Sequence, residues 1–284
     1  MISGPSPLID THCHLDLPHF DPDRERVLER AAAAGVGIII NPAIDLASCR
    51  RVLALARQYS NIYAAIGVHP NDCANFSEST LQALYELAQH PRVVAIGEIG
   101  LDYYWQKVPV AQQKRALRDQ LALAAELGLP VILHSRRSSA GDDTTSSCNA
   151  DLLEEVGQWL AAAPNLKGGR AIIGVWHAFS GDLAEAQAAY ELGLVLGLGG
   201  PVTFQNARRL HALVPSLDPH RLILETDAPY LAPHPYRGQR NEPGYVALVA
   251  QSLANLYAMP ADKLARMTTA TAVRLFRLPP AATG

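Results

Sequence analysis

No stretch of this chain is apolar for long enough to span a bilayer, and its start, Met1-Ile2-Ser3-Gly4-Pro5, has neither the basic n-region nor the long apolar h-region of a secretory signal. A cytoplasmic protein with no membrane partner is expected. Cysteine is scarce: Cys13, Cys49, Cys73 and Cys148 are the four present, widely spaced and without a Cys-x-x-Cys pair. That excludes a disulfide framework and a thiolate zinc knuckle. There is no surplus of positive charge either, the formal net charge being −3. A protein that coats nucleic acid by bulk electrostatics is excluded, although a basic rim around a cleft would survive that average. Low-complexity tracts are missing too, since 20 glycines and 20 prolines are dispersed along the chain. With 49% hydrophobic and 18% charged residues, the composition is that of an ordered globular protein.

What the chain has instead is alternation. Apolar runs rich in Ile, Val and Leu recur over 8–14, 36–41, 62–67, 93–98, 131–134, 172–177, 194–198 and 222–226, which predicts eight strands. Amphipathic stretches at 24–34, 48–59, 80–89, 111–127, 152–162, 183–192 and 207–214 lie between them, and 245–258 and 261–275 follow. Gly35, Gly128 and Gly193 stand where three of these helices would be capped. Eight strands alternating with helices predict an α/β fold, a (β/α)₈ TIM barrel forming a single domain over all 284 residues. One segment breaks the rhythm. The polar, small and aperiodic run at 136–150 reads as a flexible insertion after the fifth strand, placed either over the site or away from it.

The chemistry sits at the ends of the predicted strands. Asp10-Thr11-His12-Cys13-His14 closes the first, and side chains two apart on a strand share a face, so His12 and His14 can address one metal ion. Cys13 between them points the other way and is expected in the core. Glu98 ends the fourth strand, His134 the fifth, His177 the sixth, and Asp227 follows the eighth. A barrel gathers all strand C-termini around one mouth, so four imidazoles and two carboxylates can meet there. The competing readings are ordinary strand-end hydrogen bonds for the histidines and ion pairs with arginine for the carboxylates. Six ligands exceed the needs of one tetrahedral ion, and a carboxylate such as Glu98 can bridge two, which predicts a binuclear hydrolytic centre of Mg, Mn or Zn.

Five segments together carry a family resemblance: Thr11-His12-Cys13-His14-Leu15, Gly97-Glu98-Ile99-Gly100-Leu101-Asp102, Val131-Ile132-Leu133-His134-Ser135, His177-Ala178-Phe179-Ser180-Gly181 and Glu225-Thr226-Asp227-Ala228-Pro229-Tyr230-Leu231. In order and spacing they resemble the TatD family of metal-dependent deoxyribonucleases, in the amidohydrolase-like superfamily of metal-bearing barrels. The resemblance implies that His12 and His14 bind one ion, His134 and His177 a second, Glu98 bridges, and Asp227 completes the site and accepts a proton from the attacking water. It also implies a catalytic His69 in Gly67-Val68-His69-Pro70, contacting substrate or leaving group, though a turn-stabilising role fits that histidine equally. Arg237, Arg240 and Asn241, in a segment similar to the family's Arg-Gly-x-Arg-Asn-x-Pro, become the expected phosphate contacts, with Arg136 a further one. Tyr103, Tyr104 and Trp105 offer a stacking surface for a base, with a core role the alternative for one of the tyrosines. Ala178 replaces a cysteine common in the family, and the 136–150 run is longer than usual.

The function expected is hydrolysis of DNA phosphodiester bonds, exonucleolytic from a strand end, with two-metal activation of water and DNA as the partner. The oligomeric state stays open, a monomer being the simplest case. Two alternatives remain: a metal-dependent hydrolase of a small phosphoester, lactone or amide, and a non-catalytic nucleic-acid binding protein.

Overall fold

Strand order in the sheet is the same as strand order in the sequence. The computed structural model describes residues 7–137, 147–163 and 172–279. Its eight strands are β1 (Leu8–Asp10), β2 (Val36–Pro42), β3 (Ile62–Ile66), β4 (Val93–Asp102), β5 (Val131–Arg136), β6 (Gly174–Trp176), β7 (Leu194–Leu198) and β8 (Leu222–Leu224). All pair in parallel in the order β1 to β8. The helices are α1 (Arg24–Ala33), α2 (Leu46–Gln58), α3 (Glu78–Ala88), α4 (Val110–Leu127), α5 (Cys148–Ala162), α6 (Leu183–Glu191), α7 (Arg208–Leu213), α8 (Val246–Leu256) and α9 (Ala261–Phe276). Strands and helices alternate as a (β/α)₈ barrel requires.

Parallel strands covered on both faces read as continuous apolar runs, and these runs divide into two layers. Residues facing inward, among them Ile9, Ile38, Ile40, Tyr63, Ile132 and Ile223, fill the barrel interior. Their neighbours face outward into a larger core under the helices. Local signals start and stop the helices. Asp45, Ser77 and Asp182 form capping boxes at the starts of α2, α3 and α6. Gly35, Gly128 and Gly193 all take positive φ just past a helix, as expected of C-caps.

Where the strands end differs from expectation, and the reason lies in tertiary bonding. β1 stops at Asp10 instead of continuing to His14, because the next residues cross to the eighth strand. The Thr11 N–H donates to the Leu224 carbonyl at 3.0 Å, the Asp227 N–H to the His12 carbonyl at 2.8 Å, and Cys13 bridges to Ala228. Thr226 adds a side-chain clasp: its hydroxyl donates to Asp10 Oδ2 at 2.6 Å and its N–H to Asp10 Oδ1 at 2.9 Å. These bonds close the barrel between its first and last strands. β4 departs in the opposite sense, running on to Asp102. Its pairing with β5 slips between Ile96 and Ile99, then resumes through Asp102 opposite Arg136. Such a bulge re-aims the side chain it carries, here Glu98. Gly100, with φ +145, lets the two strands close up again, since a Cβ there would meet the His134 carbonyl oxygen at 2.0 Å.

Of the expected 136–150 insertion, 138–146 lies outside the described residues. Cys148 to Ala150 belong to α5, which starts four residues earlier than its periodicity suggests. The Ser147 side chain caps it, accepting from the Ala150 N–H at 3.1 Å.

Candidate metal centre

The barrel brings His12, His14, Glu98, His134, His177 and Asp227 to one mouth, and His69 joins them from the loop after β3. Glu98 is at the centre, buried, with its two oxygens facing different partners. Oε2 lies 3.3 Å from His12 Nε2 and 3.7 Å from His14 Nε2. Oε1 lies 2.8 Å from His134 Nδ1, 3.9 Å from His177 Nε2 and 4.0 Å from His69 Nε2. Asp227 Oδ1 completes the first side, 3.6 Å from His14 Nε2 and 3.9 Å from His12 Nε2. Two groups of donor atoms result, His12, His14 and Asp227 on one side and Glu98, His134 and His177 on the other, each with its atoms within 4.8 Å of one another. Two further groups use carboxylates beyond the expected six: Asp102 with His69 and His134, and Glu225 with His12 and His177.

This donor set fits divalent cations. His12 Nε2 and His14 Nε2 stand only 3.2 Å apart, both aimed at carboxylate oxygens. Among the described residues no lysine or arginine pairs with Glu98, Asp102, Glu225 or Asp227, so the arginine ion pairs that were the competing reading are not there. Buried carboxylates without such partners take their positive neighbours from the imidazoles.

The electrostatics follow from that crowding. Burial alone would raise the Glu98 carboxyl, but His12 and His134 hold it well below the usual carboxylate range. Burial would lower His134, yet its hydrogen bonds to Asp102 and Glu98 lift it to about 9. His177 is likewise lifted to about 10 against burial, chiefly by Glu225. His12 is pushed well below its ordinary value by burial and by neighbouring His177. Burial raises Asp227 to about 6 in spite of His177 and His14. His69 falls to about 3 through burial and the proximity of His134, so it is neutral at pH 7. Its Nδ1 accepts from the Asn71 N–H at 3.1 Å, which leaves the proton on Nε2, the nitrogen facing Glu98.

Two buried carboxylates stand behind the histidines. Glu225 Oε1 lies 3.1 Å from His177 Nδ1 and accepts from the Ala178 N–H at 2.7 Å. Asp102 Oδ2 lies 3.2 Å from His134 Nε2 and accepts from the Asn71 amide at 2.9 Å, while its Oδ1 accepts from the Tyr104 and Trp105 N–H groups. Glu225 was not singled out from the sequence, although a carboxylate two residues before Asp227, at the end of an apolar strand, is a usable signal. Cys13 is fully buried in the core, as expected.

Above the cluster opens a cavity of about 1030 Å³, whose lining includes His14, His69, Glu98, His134, His177 and Asp227. The expected phosphate loop does not reach it as foreseen. Arg240 is held by Asp23 at 2.7 and 2.8 Å, by Glu242 at 2.9 Å and by the His19 carbonyl at 2.7 Å. Asn241 is fully buried, its amide donating to the Thr226 and Tyr230 carbonyls and its oxygen accepting from the Glu242 N–H. Both serve the protein itself, because Asp23 and Glu242 saturate the guanidinium and the β8 loop consumes the amide. Arg237 is exposed, its guanidinium 4.4 Å from the centre of the Phe204 ring. The cations that do line the cavity are Lys107, Arg136 and Arg209. Lys107 and Arg209 carried no sequence signal beyond their charge.

Comparison with known proteins identifies the family. Residues 9–277 match the family described as TatD related DNase. The chain is 41% identical over 271 residues to a Bacillus subtilis protein named metal-dependent hydrolase YabD, covering 95% of this chain and 99% of that one. It is 34% identical over 274 residues to the 3'-5' ssDNA/RNA exonuclease TatD of Klebsiella pneumoniae, with 95% and 97% covered. The crystal structure of the TatD homologue YjjV from Escherichia coli superposes with a TM-score of 0.84 at 38% identity, over 96% of this chain and 98% of that one. The chain thus belongs to the TatD family of metal-dependent hydrolases.

Proposed function

We propose that this protein hydrolyses phosphodiester bonds of DNA from a strand end in the cytoplasm, with two divalent ions. The observation that carries the reading is Glu98, whose two oxygens face separate sets of donors at the floor of an open cavity. His12, His14 and Asp227 would hold one ion, His134 and His177 the other, and Glu98 would lie between them. When bound, such ions supply Lewis-acid polarisation of a phosphoryl group and a more acidic water, without electron transfer. The name of the Klebsiella relative supports a nucleic-acid substrate cut from one end.

The residues divide the remaining work. Asp227, with its carboxyl near 6, is ionised at pH 7 and basic enough to take a proton from attacking water. His69 stays neutral and presents Nε2–H as a donor to a phosphoryl or leaving-group oxygen. Glu225 and Asp102 fix the ring planes of His177 and His134, so the donors are already placed before substrate arrives. Arg237 and Arg136, without an acidic partner among the described residues, would meet the strand, Arg237 at the rim and Arg136 on the cavity wall.

Protein loaded in turn with Mg, Mn and Zn should release nucleotides from DNA, and His134→Ala or Asp227→Asn should reduce that release to background. Fully loaded protein inert on single-stranded and duplex DNA and on RNA would overturn the reading. One observation favours a second reading, hydrolysis of a small phosphoester, lactone or amide: Arg240 and Asn241 are committed to the protein and not to a phosphate. Turnover of small esters that greatly exceeds turnover of any oligonucleotide would select it.

A further inference from the structure

The loop after β4 leaves Trp105 half exposed, at 56%, on the lining of the same cavity that holds Glu98 and His134. Its neighbour Tyr104 is 41% exposed and meets it edge to face, with ring centres 4.9 Å apart. The Arg136 guanidinium lies 4.3 Å from the Tyr104 ring centre and 5.6 Å from that of Trp105. Lys107 stands two residues on, also lining the cavity. One aromatic face, Trp105, and two cations therefore share one wall of the candidate site, with Tyr104 packed against both Trp105 and Arg136. The wall is tied to the chemistry by one carboxylate: Asp102 accepts from the Tyr104 and Trp105 N–H groups at 2.9 Å each and lies 3.2 Å from His134 Nε2.

We propose that Trp105 is a stacking platform for an unpaired nucleobase, with Arg136 and Lys107 neutralising the phosphates that flank it. This rests on the nucleic-acid reading above and assigns a residue to it: a base on Trp105 has left its partner, in keeping with the single-stranded substrate in the name of the Klebsiella relative. The chemistry on the wall matches such a strand on both counts, an aromatic face for a base and cations for the polyanion. Asp102 holds the platform and His134 in register, so a stacked base would set where the adjoining phosphate falls relative to the donor cluster.

The chain has three tryptophans, and Trp159 and Trp176 are buried at 8% and 1%, so a fluorescence change on binding reports Trp105. Metal-loaded protein would be titrated with a cleavage-resistant, phosphorothioate-linked single-stranded oligothymidylate and with an abasic strand of equal length and charge. The thymidylate should quench the fluorescence and bind about tenfold tighter than the abasic strand. By anisotropy of a labelled thymidylate, Trp105→Ala should lose about the same factor, and Trp105→Phe, which keeps a ring, should stay within about threefold of wild type. Equal affinity for the two strands, or Trp105→Ala binding like wild type with an unchanged melting temperature, would overturn the platform. The nuclease reading is tested separately by turnover on cleavable DNA. Stacking without turnover keeps the platform and removes the nuclease, whereas turnover indifferent to Trp105 does the reverse.

Discussion

The two ends of the barrel are made of opposite materials. At the end away from the cavity, inward-facing residues such as Ile9, Ile38, Ile132 and Ile223 pack on Ala272, Leu275 and Phe276 of α9, with Leu278 just beyond it. At the other end the strands deliver four histidines and the carboxylates Glu98, Asp102, Glu225 and Asp227, nearly all buried. The first end gains stability by taking apolar surface out of water, on the order of 1.5–3 kcal/mol for each large side chain fully buried. The second costs stability, since every buried charge loses hydration that only its partners return. Stability and chemistry are thus separated along the barrel axis, and each end tolerates what the other does not.

The sharpest way to break this comparison is to damage each end in turn. Asp227→Asn should reduce hydrolysis to background yet leave the denaturant midpoint of metal-free protein unchanged or higher, because burial already raises that carboxyl to about 6. Phe276→Ala should cost about 3–5 kcal/mol of stability while turnover per folded molecule holds. If the Asp227 variant unfolds as readily as the Phe276 variant, the mouth is structural and the separation fails. A smaller effect tests how rigidly the mouth is built. Glu225→Gln and Asp102→Asn keep the side-chain volume but weaken the charge behind His177 and His134, so metal affinity by calorimetry should fall about 10- to 100-fold. An unchanged affinity would mean that the carboxylates pack without orienting.

The smallest effect concerns the loop that was expected to bind phosphate. Arg240 and Arg30 hold the Asp23 carboxyl at about 2. A depressed carboxylate contributes stability that is fully present above its unfolded value, near about 4, and is lost as pH falls toward about 2. Between those limits the unfolded chain binds more protons, so stability falls as pH falls. Arg240→Ala should flatten that part of the stability curve and leave the Michaelis constant for DNA close to wild type. A large rise in that constant would put Arg240 back among the substrate contacts.

What could be read from the sequence follows the same division. Strands buried on both faces betray themselves as Ile-Val-Leu runs, so eight strands and their barrel order are legible from Leu8 to Leu224. Polar residues closing such runs are conspicuous, which exposes His12, His14, Glu98, His134, His177 and Asp227. Partnerships between distant loops leave no periodic trace. Nothing in the β8 loop says that Asp23, at the start of α1, will claim Arg240, or that Asn241 will hold the Thr226 and Tyr230 carbonyls. The early end of β1 is hidden for the same reason, because Leu224 takes the Thr11 N–H.

The clasp between Asp10 and Thr226 spans 216 positions of sequence, and it imposes a timetable on synthesis. His12 leaves the ribosome just behind β1, whereas Glu225, Thr226 and Asp227 emerge after all eight strands have been made. Each intervening strand can settle beside the one before it, because neighbours in the sheet are neighbours in the chain. The first and last strands alone must wait for each other. A polypeptide released before β8 carries a divided set of donors, so truncated or nascent chains hold no complete centre and the capacity for hydrolysis arrives only with the finished barrel.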